Sequence, residues 1–229
     1  MLLKKDKKVK MLNNIYIYII YIYIYKALRK IWRMFFPKPS WQEQRRIQRQ
    51  KDYEYLISKG VETQPGYVTL YGQPMIFKHP KARIVLGKGV VLLSRSEDNY
   101  AGVNHPVILA ADAPDAEIIL HDGVGMSGSS IVAVEHIEIG ENTMLGANTN
   151  VYDTDFHPVN PTDRIARKTA EHKAVNIGRQ CWLGCNTTVL KGVTIGDRTT
   201  VGAMSLVTKD LPCDVVAGGV PAKVLKPLK

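Results

Sequence analysis

The 229-residue chain has only three cysteines, four phenylalanines and no long apolar run. Cys181, Cys185 and Cys213 form no paired framework, and Cys181 and Cys185 are not spaced as Cys-x-x-Cys. A disulfide-stapled fold and a zinc ribbon are therefore excluded, and the three read as free thiols of a cytoplasmic chain. Basic charge is also missing from most of the sequence. Residues 1–60 hold 15 Lys and Arg against 4 Asp and Glu, whereas residues 61–229 hold 16 against 17. The net charge of +10 thus belongs to the N-terminal quarter. A basic main domain gripping nucleic acid is excluded, and a basic tail available to a membrane face remains. The expected division is a basic extension over 1–60 and a single domain over 61–229.

The longest apolar stretch, Ile15 to Tyr25, alternates Ile and Tyr and ends at Lys26. It is too short to span a bilayer, which needs about 20 residues, and lacks the small-residue site of a signal peptide. It reads as low-complexity sequence upstream of a start at Met34, and its alternating β-branched and aromatic residues make it an aggregation hazard. Leu28, Ile31, Trp32 and Phe35 follow at helical spacing among Arg29, Lys30 and Arg33. They suggest a basic amphipathic helix with two readings: peripheral membrane contact through 26–36, or packing on protein. Ser40-Trp41-Gln42-Glu43 is a capping box, so a polar helix is expected from there to Lys59, stopped by Gly60.

The remainder repeats every six residues. Ile177, Leu183, Val189, Ile195, Val201 and Val207 recur without a miss, and Cys181, Thr187, Val193, Thr199 and Ser205 lie four places after the first five. The register also runs through Ile139, Leu145 and Val151, and more weakly through Leu86, Leu92, Leu120 and Met126. A period of six fits neither a helix nor a simple strand; it is the mark of a stacking array. Each hexad would be one flat side of a three-sided coil, with the aliphatic and small residues inside and a glycine such as Gly184 easing the turn.

These hexads, with Lys191-Gly192-Val193-Thr194-Ile195-Gly196, Val207-Thr208-Lys209-Asp210 and Gly219-Val220-Pro221-Ala222-Lys223, resemble the hexapeptide-repeat acyltransferases. The resemblance implies a left-handed parallel β-helix, a homotrimer and acyl transfer from CoA. Asp153-Thr154-Asp155-Phe156-His157-Pro158 is similar to the branch that O-acetylates sugars: the galactoside, maltose and capsule or lipopolysaccharide acetyltransferases. The acceptor is then a sugar or oligosaccharide and the donor acetyl-CoA.

Continuing the hexad past Val151 places Asp155 inside, where an unpaired carboxylate is costly. The coil must therefore leave its path near Tyr152 and return near Val175, extruding a loop over 152–174. Loops of that length in a compact fold are usually functional. His157 lies on it, and Asp153 and Asp155 are expected to hold one ring nitrogen so that the other takes a proton from a sugar hydroxyl. Oxyanion donors are expected at the Gly184 or Cys185 amide. The resemblance further implies that Trp182 stacks on the sugar, packing at a trimer interface being the rival reading; Asp153, Ser127 to Ser130 and Asn104-His105 are candidate acceptor contacts that the sequence leaves open. It implies that Cys185, Ala203, Thr208 and Lys209 line the CoA site, with Lys223 and Lys226 for its 3′-phosphate. No metal is expected: a zinc-bound β-helix needs three clustered histidines, and His121 and His136 lack a third. The alternative from another class is a non-catalytic trimeric β-helix serving as scaffold or binding module.

Overall fold

The computed structural model describes residues 21–30 and 40–228. The expectations for Ile15 to Ile20, Ile31, Trp32, Met34 and Phe35 lie outside them. Helix α1 covers residues 21–30, the last five residues of the Ile-Tyr run and the start of the basic segment after it. Alternation favours a strand only where a sheet face is there to be buried, and Tyr21, Tyr23, Ile24, Tyr25 and Leu28 are all exposed. Helix α2 (Trp41–Ser58) starts as the capping box requires, the Glu43 N–H donating to Ser40 Oγ at 3.2 Å. The compact unit of the main domain begins at Ile47 rather than after residue 60. Leu56 explains the shift, because it is fully buried in that unit's core.

From Thr69 the strands come in threes. Coil one holds β1 (Thr69–Tyr71), β2 (Met75–Lys78) and β3 (Arg83–Leu86); coil two holds β4 (Val91–Leu93), β5 (Ile108–Ala111) and β6 (Glu117–Leu120). Coil three holds β7 (Gly125–Ser127), β8 (Ser130–Ala133) and β9 (His136–Ile139); coil four holds β10 (Met144–Leu145), β11 (Asn150–Tyr152) and β12 (Val175–Ile177). Coil five holds β13 (Trp182–Leu183), β14 (Thr188–Val189) and β15 (Thr194–Ile195). Coil six holds β16 (Thr200–Val201), β17 (Leu206–Val207) and a bridge from Leu211 to Ile195. β18 (Val215–Gly219) and the antiparallel β19 (Ala222–Pro227) close the end.

First strands stack into sheet I, second strands into sheet II and third strands into sheet III, parallel throughout except for β19. The result is a left-handed parallel β-helix, a prism of three sheets rising about 4.8 Å per coil. The hexad residues Ile177, Leu183, Val189, Ile195, Val201 and Val207 are all buried, as are Cys181, Thr187, Val193, Thr199 and Ser205. Gly184 is needed because the coil above passes so close: a Cβ there would stand 2.5 Å from the Ala203 nitrogen.

Two corners are opened. Residues 94–107 leave the corner between sheets I and II in coil two, and residues 153–174 leave the corner between sheets II and III in coil four. The second carries α3 (Pro161–Ile165), capped by Asn160, whose side chain accepts from the Thr162 N–H.

Candidate active site

The 153–174 loop is braced at its base. The Lys173 N–H donates to Asp153 O at 2.8 Å, the Asp155 N–H donates to Glu171 O at 3.0 Å, and Thr154 bridges His172 antiparallel. Lys191, from the corner one coil above, pairs with Asp155 and lies 3.0 Å from Glu171, joining the two chains of the loop. Those two carboxylates hold the Lys191 ammonium above its ordinary pKa.

Asp153, expected at the sugar, is instead fully buried. It is the next inward residue after Val151, as strand alternation demands. Its carboxylate accepts from the N–H groups of Val134, Glu135 and His136 at 2.8–3.1 Å, tying coil four to the turn of coil three. Burial pushes the carboxyl up, and the three amide donors oppose it. Asp155 pairs with Lys191 instead, and no hydrogen bond joins its carboxylate to the His157 imidazole. The His157 imidazole is exposed and bonds to no described residue; only its backbone N–H is engaged, at 2.6 Å to Asp155 O. The turn that presents it holds Phe156 at φ 60°, a left-handed conformation uncommon for a bulky residue. The Phe156 N–H donates to Thr154 Oγ1 at 3.1 Å, and its ring meets Tyr152 edge-on with centroids 5.0 Å apart.

Other expected residues fall on different edges of the prism. Cys185 and Ala203 stack on successive coils at the corner between sheets I and II, and Ser127 begins that corner in coil three. Thr208 and Lys209 sit on the His157 corner, between sheets II and III. Trp182 faces outward on sheet I beside Met144, 53% and 56% exposed. Lys223 and Lys226 lie exposed on β19. Within one chain, therefore, His157 does not meet Trp182, Cys185 or Ala203. The Gly184 N–H is spent on Val201 O at 2.8 Å and is no oxyanion donor, whereas the Cys185 N–H donates to no described residue. Among the described residues no cluster of His, Cys, Asp and Glu can hold a metal ion.

The 94–107 loop, whose Asn104 and His105 were singled out, was not anticipated as an extrusion. It folds along its corner towards higher coils: the Asn148 side chain accepts from the Asn104 N–H at 2.9 Å and donates to Gly102 O at 2.8 Å. Leu92 to Leu109 is the break in the hexad that signals it. A groove of about 530 Å³ lies on the corner between sheets III and I, beside His121, Glu138, Arg179 and Cys213, and does not include His157.

Known proteins share this repeat. The family model described as bacterial transferase hexapeptide (six repeats) matches residues 174–209. The galactoside O-acetyltransferase of Lactococcus lactis is 41% identical over 108 residues, covering 46% of this chain and 51% of that protein. A putative lipopolysaccharide biosynthesis O-acetyl transferase of Escherichia coli is 35% identical over 103 residues, covering 42% and 53%. The chain thus spans about half the length of these curated relatives. An N-acyltransferase from Bacillus cereus, solved in complex with dTDP and 3-hydroxybutyryl-CoA, superposes with a TM-score of 0.59 at 21% identity, covering 77% of this chain and 88% of that one. In its repeat and in its curated relatives, the chain is similar to the sugar O-acetyltransferase branch of the hexapeptide-repeat transferases.

Proposed function

We propose that the chain is an acetyl-CoA-dependent O-acetyltransferase acting on a sugar hydroxyl of a cell-surface polysaccharide or its precursor. The observation that carries this is the unpartnered imidazole of His157, presented to solvent by a loop braced at its base where the coil breaks. Curated relatives named as sugar O-acetyltransferases support the reaction class. In the proposed reaction His157 takes the proton of the sugar hydroxyl as its oxygen attacks the thioester carbonyl. The tetrahedral oxyanion is met by the Cys185 N–H. The C–S bond then breaks, and the imidazolium returns its proton to the departing thiolate. The residues fit the donor: Cys185 and Ala203 keep one corner low, and the exposed Lys209, Lys223 and Lys226 supply cations for phosphates.

The unit of function in this reading is a homotrimer. Two corners hold complementary halves of the site, Cys185 and Ala203 on one edge of sheet II, His157, Thr208 and Lys209 on the other. Turning sheet II towards a threefold axis brings one edge of each chain against the opposite edge of its neighbour, and each site is then completed between two chains. Sheet II suits that place, since Met75, Phe77, Ile108, Val132, Tyr152 and Leu206 make its outer surface largely apolar. Trp182 and Ser127 flank the same cleft. The three free thiols support a cytoplasmic location. Lys26, Arg29 and Lys30 of α1 support contact with an anionic membrane surface, and among the described residues no helix is long and apolar enough to cross one.

The test is release of CoA thiol from acetyl-CoA across a panel of sugars and oligosaccharides, for wild type and His157→Ala. Acceptor-dependent release that falls about a hundredfold or more in the variant is expected. Equal release by both proteins would remove His157 as the base, and no release with any sugar, together with no CoA binding, would favour the scaffold.

A further inference from the structure

At the opposite end of the prism from the donor residues, α2 crosses coil one and closes a cavity of about 370 Å³ against the corner between sheets I and II, at Gly72 and Gln73. Tyr55 fixes the crossing, its hydroxyl donating to Pro74 O at 2.6 Å. The size is that of a small-ligand site. Its lining is mixed: Gln48, Lys51, Asp52, Gln73 and Arg95 surround the glycine floor, and Tyr55 and Leu70 add apolar surface.

Hydrogen-bonding capacity in this cavity is left unspent. Asp52 is only 6% exposed, yet its carboxylate accepts just two bonds, from Gln48 Nε2 at 2.7 Å and from the Leu70 N–H at a long 3.4 Å. A carboxylate accepts about four, and a buried one short of partners is costly. Arg95 lies across Gly72 and pairs through Nε with Asp98 at 2.5 Å and with Glu97 at 3.8 Å, which leaves its terminal nitrogens without a hydrogen bond. Lys51 lines the cavity and has no partner among the described residues. A buried acceptor, two cations with free donors and two side-chain amides match one chemistry: a sugar whose hydroxyls bond Asp52 and whose anionic group meets Lys51 and Arg95.

The cavity lies on the Cys185 and Ala203 corner line but below the His157 coil, while the donor residues lie above it. Three coils separate the levels, about 14 Å along the prism. We propose that this cavity is a distal acceptor subsite for an anionic sugar unit, a uronic acid or a sugar phosphate, in an oligosaccharide whose hydroxyl reacts at His157. The assignment of the cavity to an acceptor rests on the proposed transfer reaction.

The experiment is saturation-transfer NMR on the full chain with glucuronic acid, glucose 1-phosphate and glucose as probes. At least one anionic sugar should bind about tenfold more tightly than glucose, and the two anionic arms decide between carboxylate and phosphate. Lys51→Glu should weaken that binding about tenfold and Asp52→Asn should weaken all three probes, with the unfolding midpoint and CoA affinity of Lys51→Glu unchanged. Glucose binding as tightly as both acids, or anionic binding indifferent to Lys51→Glu, overturns the proposal. The readout needs no turnover, so the two readings fail separately. Binding without CoA release in the transfer assay would leave an anionic-sugar site and discard its acceptor role. CoA release without binding would discard the subsite alone.

Discussion

Sheets II and III are built from the same hexads around the same interior, yet their outer faces share almost nothing. On sheet III, Arg83 pairs with Glu62 at 3.0 Å and Glu117 at 2.7 Å, His136 lies between Glu117 and Glu138, and His121 meets Glu138 at 2.6 Å. On sheet II the register instead aligns Phe77, Ala110, Val132 and Tyr152, with Met75 and Phe77 43% and 50% exposed. The repeat constrains only what points inward. Outward composition is free to report what each face meets: water for sheet III and, in the proposed trimer, neighbouring chains for sheet II.

The sharpest way to break this contrast is to make the apolar face charged. Val132→Asp would gather three carboxylates around the proposed axis, at a cost of several kcal/mol. Light scattering should then give the mass of one chain; an unchanged oligomer would show that sheet II faces elsewhere. Asp153→Ala attacks the corner where the two faces meet. It strips the acceptor from three amides and should lower stability by about 3–5 kcal/mol in urea unfolding, while a loss under about 1 kcal/mol would mean water replaces the carboxylate. The smallest effect belongs to the charged face. The hydrogen bond from His121, followed by that from His136, holds the Glu138 carboxyl below its ordinary value of 4.5. Its contribution is therefore present above pH 4.5 and fades as pH falls through the lowered value. The side chain is 40% exposed, so Glu138→Gln should cost only a few tenths of a kcal/mol at pH 6 and nothing near pH 2, read from paired urea midpoints.

Much of the prism was legible because period six leaves few ways to fold. The hexad phase from Ile139 onward named the buried residues, and the misfit of Asp155 located the open corner. The contacts that organise that corner were not legible. Asp153 was read beside the loop rather than as the next inward residue of a strand, although its distance of two from Val151 carried the signal. Lys191 is 36 positions from Asp155, and only stacking brings the two together. The 94–107 loop escaped because the early hexads are weak, with Leu92 and Leu109 as its only flanking cues. The embedding of α2 escaped because only Leu56 and Tyr55 of the helix reach the core, while Trp41, Ile47 and Ile57 are exposed and give no apolar stripe to read. No single-chain reading can bring Trp182 to His157, because they lie on different faces.

At the open corner of coil four, β11 still pairs with β8 below and β14 above, and β12 with β9 and β15. Twenty-odd residues have been spliced between two strands without shifting a single pairing, because parallel neighbours, and not the connecting turn, set the register. The corners are therefore cassette positions. A lineage can lengthen, shorten or exchange the 94–107 and 153–174 segments, altering what is recognised, while inheriting the prism untouched. An engineer has the same freedom: in the proposed enzyme, acceptor choice is open to loop transplantation at two addresses, with folding governed elsewhere.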